Sequence, residues 1–388
     1  MSKSNRNLPF SSIVLFWINL GSFLLIIFFG LQFKGFSFDN NVSRIEGENG
    51  IRFGHYGIAY TDTAFPTMAN RSEPVGLSVE IAVRPDDSKD DRFKILLSIH
   101  AGNDSEQLLI GQWRSSLIVM NGDDYDGSKR TPKIGVSNAL PPQSKGFIHI
   151  TSGANGTFVY VNGHLQASNG KLILKIPNKI ADALLVLGNS PYGRHSWTGN
   201  IYGLAIYEHI LNSRDTASHF DQWSQRHVFS FPRNINPRFF YTFDDKKRLA
   251  SFDRSPEEQH LVIPSRVKIL KKEILVAPWN ENRLDRRLVQ DMVMNLVGFI
   301  PPGFFFSALM INFGGFYDKH GFLLTVCACF MISLTIELAQ AWIPFRSSQS
   351  LDLIINTLGG CLGAIFYRLY LQVFCKLDLV DGFVKKVN

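Results

Sequence analysis

SLTIELAQAWIPFRSSQSLDLIINTLGG, Ser333–Gly360, is mostly apolar on both sides of its central Pro344, yet it carries Glu337, Arg346 and Asp352. The runs around it explain the combination. About Leu288–Ile311, Gly321–Ile343 and Leu351–Val373 are each long and apolar enough for a membrane-spanning helix, which needs roughly 20 such residues. A fourth run, Ser12–Phe33, has no charge at all and is too long for the core of a signal peptide, so it reads as an uncleaved anchor. In the three late runs the polar residues recur at helical spacing. Asp291 and Asn295 share a face, as do Ser333, Glu337 and Gln340, and as do Asp352 and Asn356. A charge at a span's centre costs about 2.5–3.5 kcal/mol even on the mildest scale, so such groups face protein or water and keep a partner. All of them fall at the same end of their helices, with Arg346 in the loop beside them. That pattern predicts one polar pocket lined by three helices. The competing reading is interhelical hydrogen bonding that merely fixes the bundle. A proton path fits less well, because Arg368 is the only charge in the other half of these runs.

The rest of the composition agrees with a membrane protein. Of 388 residues, 45% are hydrophobic and 32 are Phe, which excludes a disordered chain. The formal charge of +7 has no dense Lys/Arg block, so nucleic acid is not an expected partner; the lipid bilayer is. Lys3 and Arg6 precede the first run, Lys319 and His320 separate the second and third, and Lys376, Lys385 and Lys386 follow the fourth. By the positive-inside rule both termini are cytoplasmic and residues 34–287 lie outside, with Arg283, Arg286 and Arg287 against the trend. All four cysteines lie in the apolar C-terminal region, so the outer part needs no disulfide.

That outer part, from Gly50 to about Trp223, is a series of short alternating runs between Gly, Asn, Asp and Pro: Leu77–Val83, Phe93–Ile99, Leu108–Ile110, Leu117–Met120 and Phe147–Thr151. Thr157–His164 reads as a strand entering an Asn162-Gly163 hairpin turn, Trp197–Tyr207 as a long strand, and Ser213–Trp223 as a short helix. Period-2 runs at this spacing predict a sandwich or jelly roll. Phe239–Asp244 and Leu261–Pro264 look like two further strands that either join the sandwich or form a neck, so residues 226–287 are set apart as a β-rich connector. Trp113, Tyr192, His195 and Trp197 offer a stacking platform for sugars, unless the tryptophans are core. Asp123, Asp124 and Asp126 offer oxygen ligands for calcium, the one cofactor the sequence leaves open; their spacing fits no EF-hand loop and reads more simply as a polar turn.

Two resemblances follow from these residues. GLSVEIAVRPD (Gly76–Asp86), FVYVNGHL (Phe158–Leu165) and the run from Leu184 to Asp215 resemble, in order, the laminin-G-like, concanavalin A-like lectin/glucanase family, which implies a two-sheet jelly roll over residues 45–225. Members commonly bind glycans or proteins. The Glu-x-Asp-x-x-Glu strand of the hydrolases is absent, so the resemblance implies binding rather than hydrolysis. DMVMNLVGFIPPGF (Asp291–Phe304), the opening stretch and Gly363 resemble the VanZ-like membrane family, with Pro302 where that family has a larger apolar residue. This implies a four-helix bundle whose first outer loop is replaced by the lectin-like domain, and a bacterial envelope role linked to glycopeptide-antibiotic tolerance. The expected function is coupling of glycan or protein binding to that bundle in cell-surface glycan handling. The alternatives are a membrane enzyme on a lipid-linked glycan or phospholipid head group, with Glu337 or Asp352 as acid or base and Arg346 on the phosphate, and a scaffold for other membrane proteins.

Overall fold

Helix α1 spans Ser12–Leu31 and buries little beyond Leu15 and Asn19; Leu24, Leu25, Phe28 and Phe29 are exposed along it. This is a computed structural model, and it describes residues 10–31, 39–63, 76–86, 91–100, 107–122, 132–175, 183–226, 237–245, 250–256, 258–272, 274–277, 286–343 and 346–387. The chain forms two units: Phe38–Lys271, and Met1–Ser37 with Lys272–Asn388.

The first unit is a sandwich of two eight-stranded sheets, antiparallel throughout. One sheet runs in the order β1 (Val42–Arg44), β2 (Ile51–Phe53), β13 (Gly199–Tyr207), β4 (Leu77–Pro85), β9 (Gly146–Gly153), β10 (Gly156–Val161) and β11 (His164–Asn169), with β14 (Phe239–Tyr241) also on β13. The other runs β15 (Ala250–Ser251), β16 (Leu261–Val262), β3 (Ala59–Thr61), β12 (Leu184–Leu187), β5 (Lys94–His100), β6 (Leu108–Trp113), β7 (Ser116–Asn121) and β8 (Lys133–Val136). The predicted strands are present: β4, β6, β7 and β9 run longer than expected, β5 is shifted by one residue, and β13 begins at Gly199 and not at Trp197. The connector is where the structure adds most. Residues Phe239–Tyr241 pair with Leu204–Ile206 in one sheet, and Leu261–Val262 pair with Tyr60–Thr61 in the other. Those strands are therefore part of the sandwich and not a neck.

Alternation decides which side chains meet. Val79, Ile81 and Val83 of β4 point between the sheets with Ile99, Ile148, Ile150 and Leu185, and all are buried. Each such side chain contributes about 1.5–3 kcal/mol on leaving water. A register shift between Ile201 and Gly203 lets Ile201, Leu204 and Ile206 all face this core. The Asn162-Gly163 turn has φ of 51° and 76°, the two positive values a tight hairpin requires. On the opposite face of the first sheet lies α2 (Ser213–Arg226). Asn212 caps it: its Oδ1 accepts from the amides of Arg214 and Asp215 at 2.9 and 3.0 Å, and Asp215 accepts from the Asn212 amide at 3.3 Å. Leu211 and Trp223, with the half-buried Phe220, then cover Phe147, Tyr202 and Tyr207.

In the second unit, α1 is joined by α3 (Arg286–Phe313), α4 (Phe316–Gln340) and α5 (Ser350–Val387). Ser12–Leu31, Leu288–Phe313, Phe316–Gln340 and Ser350–Val373 are long and apolar enough to cross a membrane. The bundle is drawn tight by glycine. A methyl group on Gly359 would collide with the Leu296 carbonyl, and one on Gly363 with the Ile300 carbonyl, so α3 and α5 touch backbone to backbone. Gly360 admits the Cys329 side chain of α4 in the same way. This contact fixes the register of the two helices that carry half of the pocket residues.

Candidate functional site

Glu337 sits in the last turn of α4 and is 1% exposed. Its Oε2 accepts a hydrogen bond from the Gln349 amide at 2.8 Å, just ahead of α5. The loop that delivers Gln349 is held from outside by Leu275 and Val276. The Leu275 amide donates to Ser348 Oγ at 3.1 Å, the Val276 amide donates to the Ser348 carbonyl at 2.9 Å, and the Val276 carbonyl accepts from the Ser350 amide at 3.0 Å. In this loop Arg346 lies within electrostatic reach of Glu337, Asp291 and Asp352. Its half-burial lowers its pKa from the ordinary value, and the three carboxylates pull it back up. Asn295, one turn along from Asp291, hydrogen-bonds the Asp352 carboxyl. One turn deeper, Asn356 Nδ2 donates to Ser333 Oγ at 3.0 Å, both groups being buried. Asn356 Oδ1 is buried without a partner among the described residues.

Seven of the eight residues picked out by spacing thus gather in two layers at one end of the bundle. Asp291, Asn295, Glu337, Arg346 and Asp352 form the outer layer, and Ser333 with Asn356 the inner. Gln340 departs: its Nε2 donates to the Gly30 carbonyl of α1 at 2.8 Å, so it ties the first helix to the bundle. Asp291 is the one exposed member, at the open edge.

The sandwich distributes its predicted residues differently. Trp197 is fully buried, donates from Nε1 to Gln112 Oε1 at 2.6 Å and packs edge-on against Phe53. Tyr192 is buried too, with Arg194 and Lys271 each 5.2 Å from its ring. The expected four-residue platform is corrected accordingly, since a sugar cannot stack on rings already covered by protein. His195 is half-buried against Phe93. Trp113 is exposed, with the Arg114 guanidinium 5.0 Å from its ring and its Nε1 donating to the Asp91 carbonyl at 3.0 Å. Asp123, Asp124 and Asp126 lie outside the described residues. Among the described residues no three His, Cys, Asp or Glu side chains are placed to hold a metal ion.

A second polar cluster was missed by the sequence reading. Glu80 is fully buried under α2 and accepts from His149 Nδ1 at 3.0 Å, His219 Nδ1 at 2.9 Å and Tyr207 OH at 3.0 Å. Burial alone would push its carboxyl pKa up; the hydrogen bonds and charge of His149 and His219 outweigh that and hold it below the ordinary value. Burial and the Glu80 charge push the Tyr207 phenol far up. The signal available was three titratable residues at outward positions of strands Leu77–Val83, Phe147–Thr151 and Trp197–Tyr207, plus a histidine in the following helix.

Residues 234–371 match the VanZ/LLP1 family model. This part of the chain is similar to that family. With its four membrane-length helices, the chain is a membrane protein. No curated protein matches it. Among solved structures, the Ruminococcus gnavus IT-sialidase CBM40 bound to α2,3-sialyllactose is similar at 13% identity and TM-score 0.30, over 37% of this chain and 81% of that one. The binding domain of botulinum neurotoxin DC in complex with SialylT is similar at 16% identity and TM-score 0.36, over 47% and 45%. A heptameric SAP-like pentraxin from Limulus polyphemus is similar at 10% identity and TM-score 0.34, over 61% and 100%. The chain thus spans less than half of the neurotoxin domain.

Proposed function

We propose that this is a bacterial cytoplasmic-membrane protein, with the sandwich outside, whose VanZ-like bundle binds the polar head group of a lipid-linked glycan or phospholipid. The observation that carries this reading is the outer layer itself. A carboxylate 1% exposed, a half-buried guanidinium and two further carboxylates converge from three helices and a loop. Groups spent only on packing the bundle would pair off one to one. Here three carboxylates lie within electrostatic reach of one guanidinium, and the buried Asn356 Oδ1 has no partner among the described residues. The sandwich, with its laminin-G-like sequence pattern and the exposed Trp113, is assigned to recognition of the attached or neighbouring surface glycan. The protein then acts in envelope handling by holding a head group at the membrane while the sandwich engages sugar.

An enzymatic variant of this reading has one feature in its favour: Glu337 and Asp352 occupy unequal surroundings, one buried beneath a backbone amide and one half-buried beside an amide side chain. Turnover of a bound lipid into two products distinguishes catalysis from binding.

The test is to purify the full-length protein and E337Q in mild detergent and identify co-purifying lipids and glycolipids by mass spectrometry. The reading expects at least one head-group-bearing species retained by the wild type and reduced about tenfold or more in E337Q, the loss of one or two hydrogen bonds to a charged group. Identical lipid content in the two proteins would refute it.

A further inference from the structure

The outward face of the first sheet, which α2 covers around Glu80, carries a line of basic side chains near the end of β4. Ile51 and Phe53 of β2, Ile201 of β13 and Val83 of β4 point into the core, so Arg52, Asn200 and Arg84 point the other way. Asn200 pairs in register with Arg52 on one side and with Arg84 on the other. Val83 pairs with Gly146 of β9, which sets Lys145 next beyond Arg84. Three cations and one amide thus stand in a line across four neighbouring strands or their ends, about 4.8 Å apart and about 14 Å from first to last.

The carboxylates sit with the outer members of the line. Arg52 Nη1 and Nη2 donate to Asp86 at 3.3 and 2.9 Å, and Nη1 also reaches Asn200 Oδ1 at 3.4 Å. Lys145 Nζ donates to Glu48 at 3.1 and 3.0 Å and lies 4.6 Å from the centre of the Tyr202 ring. The Arg84 side chain, between them, makes no hydrogen bond or ion pair among the described residues; it is half-buried, and its Nε is enclosed without an acceptor. Asp87, Lys89 and Asp90, which follow Asp86 in the chain, lie outside the described residues. A guanidinium with its donors unspent takes a carboxylate or phosphate as a two-pronged partner. The flanking cations keep part of their surface open as well, Arg52 being 45% and Lys145 27% exposed. An extended chain with acid groups along it meets Arg84 directly and the two flanking cations with its neighbouring groups. We propose that this line binds an acidic glycan, one bearing carboxylate or phosphate groups, with an acid group on Arg84. This rests on the glycan reading of the sandwich and goes beyond it by naming the charge of the ligand and the residues that read it.

The experiment uses the full chain in detergent, titrated by microscale thermophoresis with polygalacturonate, its fully methyl-esterified form, phosphomannan and dephosphorylated mannan. At least one acidic polymer is expected to bind about tenfold or more better than its neutral counterpart, and which one does so assigns the acid group as carboxylate or phosphate. R84Q should lose about tenfold in affinity for that polymer, the worth of one charge-assisted pair. K171Q, which removes an equal charge from an exposed position elsewhere on the sandwich, should lose none. D86N releases Arg52 from its carboxylate and should tighten binding, a gain that a misfolded domain cannot give. Equal losses in R84Q and K171Q would reduce the effect to general attraction by a basic protein and overturn the proposal. A gain of about tenfold in D87N would show Arg84 already occupied by Asp87 and overturn it as well. A neutral polymer bound as well as its acidic counterpart would overturn the acid requirement and leave the glycan reading standing. No polymer bound at all would overturn both.

Discussion

Glu80 shows what a single outward-facing residue can become once another element covers it. Between Val79 and Ile81 it occupies a polar position of an alternating strand, and alternation alone places it in solvent. Its burial depends on α2, which arrives more than a hundred residues later, so neither the cover nor its donors were legible locally. Removing Glu80 would take away the acceptor that His149, His219 and Tyr207 share and leave a void. E80A is expected to destabilise the sandwich by roughly 3–5 kcal/mol, read as a lower Tm by calorimetry. The pH dependence has a definite sign. A carboxyl held below its unfolded value of 4.5 contributes stability above that pH and loses it as pH falls further. Tm of the wild type should therefore drop below about pH 4.5 more steeply than Tm of E80Q. Equal slopes would show that Glu80 is not ionised in the fold.

At the scale of elements, the contact of α3 with α5 was half legible. Gly359 and Gly363 mark a small-residue face in the sequence, and the structure confirms close approach there. The partner could not be read, because Leu296 and Ile300 meet those glycines with their backbone carbonyls, and a carbonyl has no sequence signature. Two glycines on facing helices give opposite expectations. Gly363→Ala forces a methyl into the α3 backbone and should destabilise the bundle by about 1–3 kcal/mol, seen as a lower melting temperature in detergent. Gly298→Ala, which meets nothing within 4 Å, should be neutral or slightly stabilising. The polar spacing in these helices was the most legible feature of the site, since four-residue repeats survive any packing arrangement. Only Gln340 escaped, because its partner belongs to a helix more than three hundred residues earlier.

For the molecule as a whole, the division into a sandwich and a helical bundle followed from hydropathy alone, whereas the extent of the sandwich did not. Residues Phe239–Tyr241 and Leu261–Val262 are too short to declare their pairing, and it is long-range pairing that brings them into the two sheets. A soluble fragment of residues 38–271 should accordingly melt cooperatively and be unaffected by reductant, while one ending near residue 226 should be less stable because β13 and β3 each lose a neighbour. The central claim, that the Glu337–Arg346 layer holds a ligand rather than merely fastening helices, has its most direct test in ligand-linked melting of the full-length protein. The melting temperature of wild type and E337Q is measured in detergent, with and without an added bacterial total lipid extract. A ligand at a hundred times its Kd adds about 2.7 kcal/mol to the native state. The account predicts that lipid raises Tm of the wild type clearly more than that of E337Q, by about twice as much for a tenfold loss of affinity. An equal rise in both proteins would contradict it.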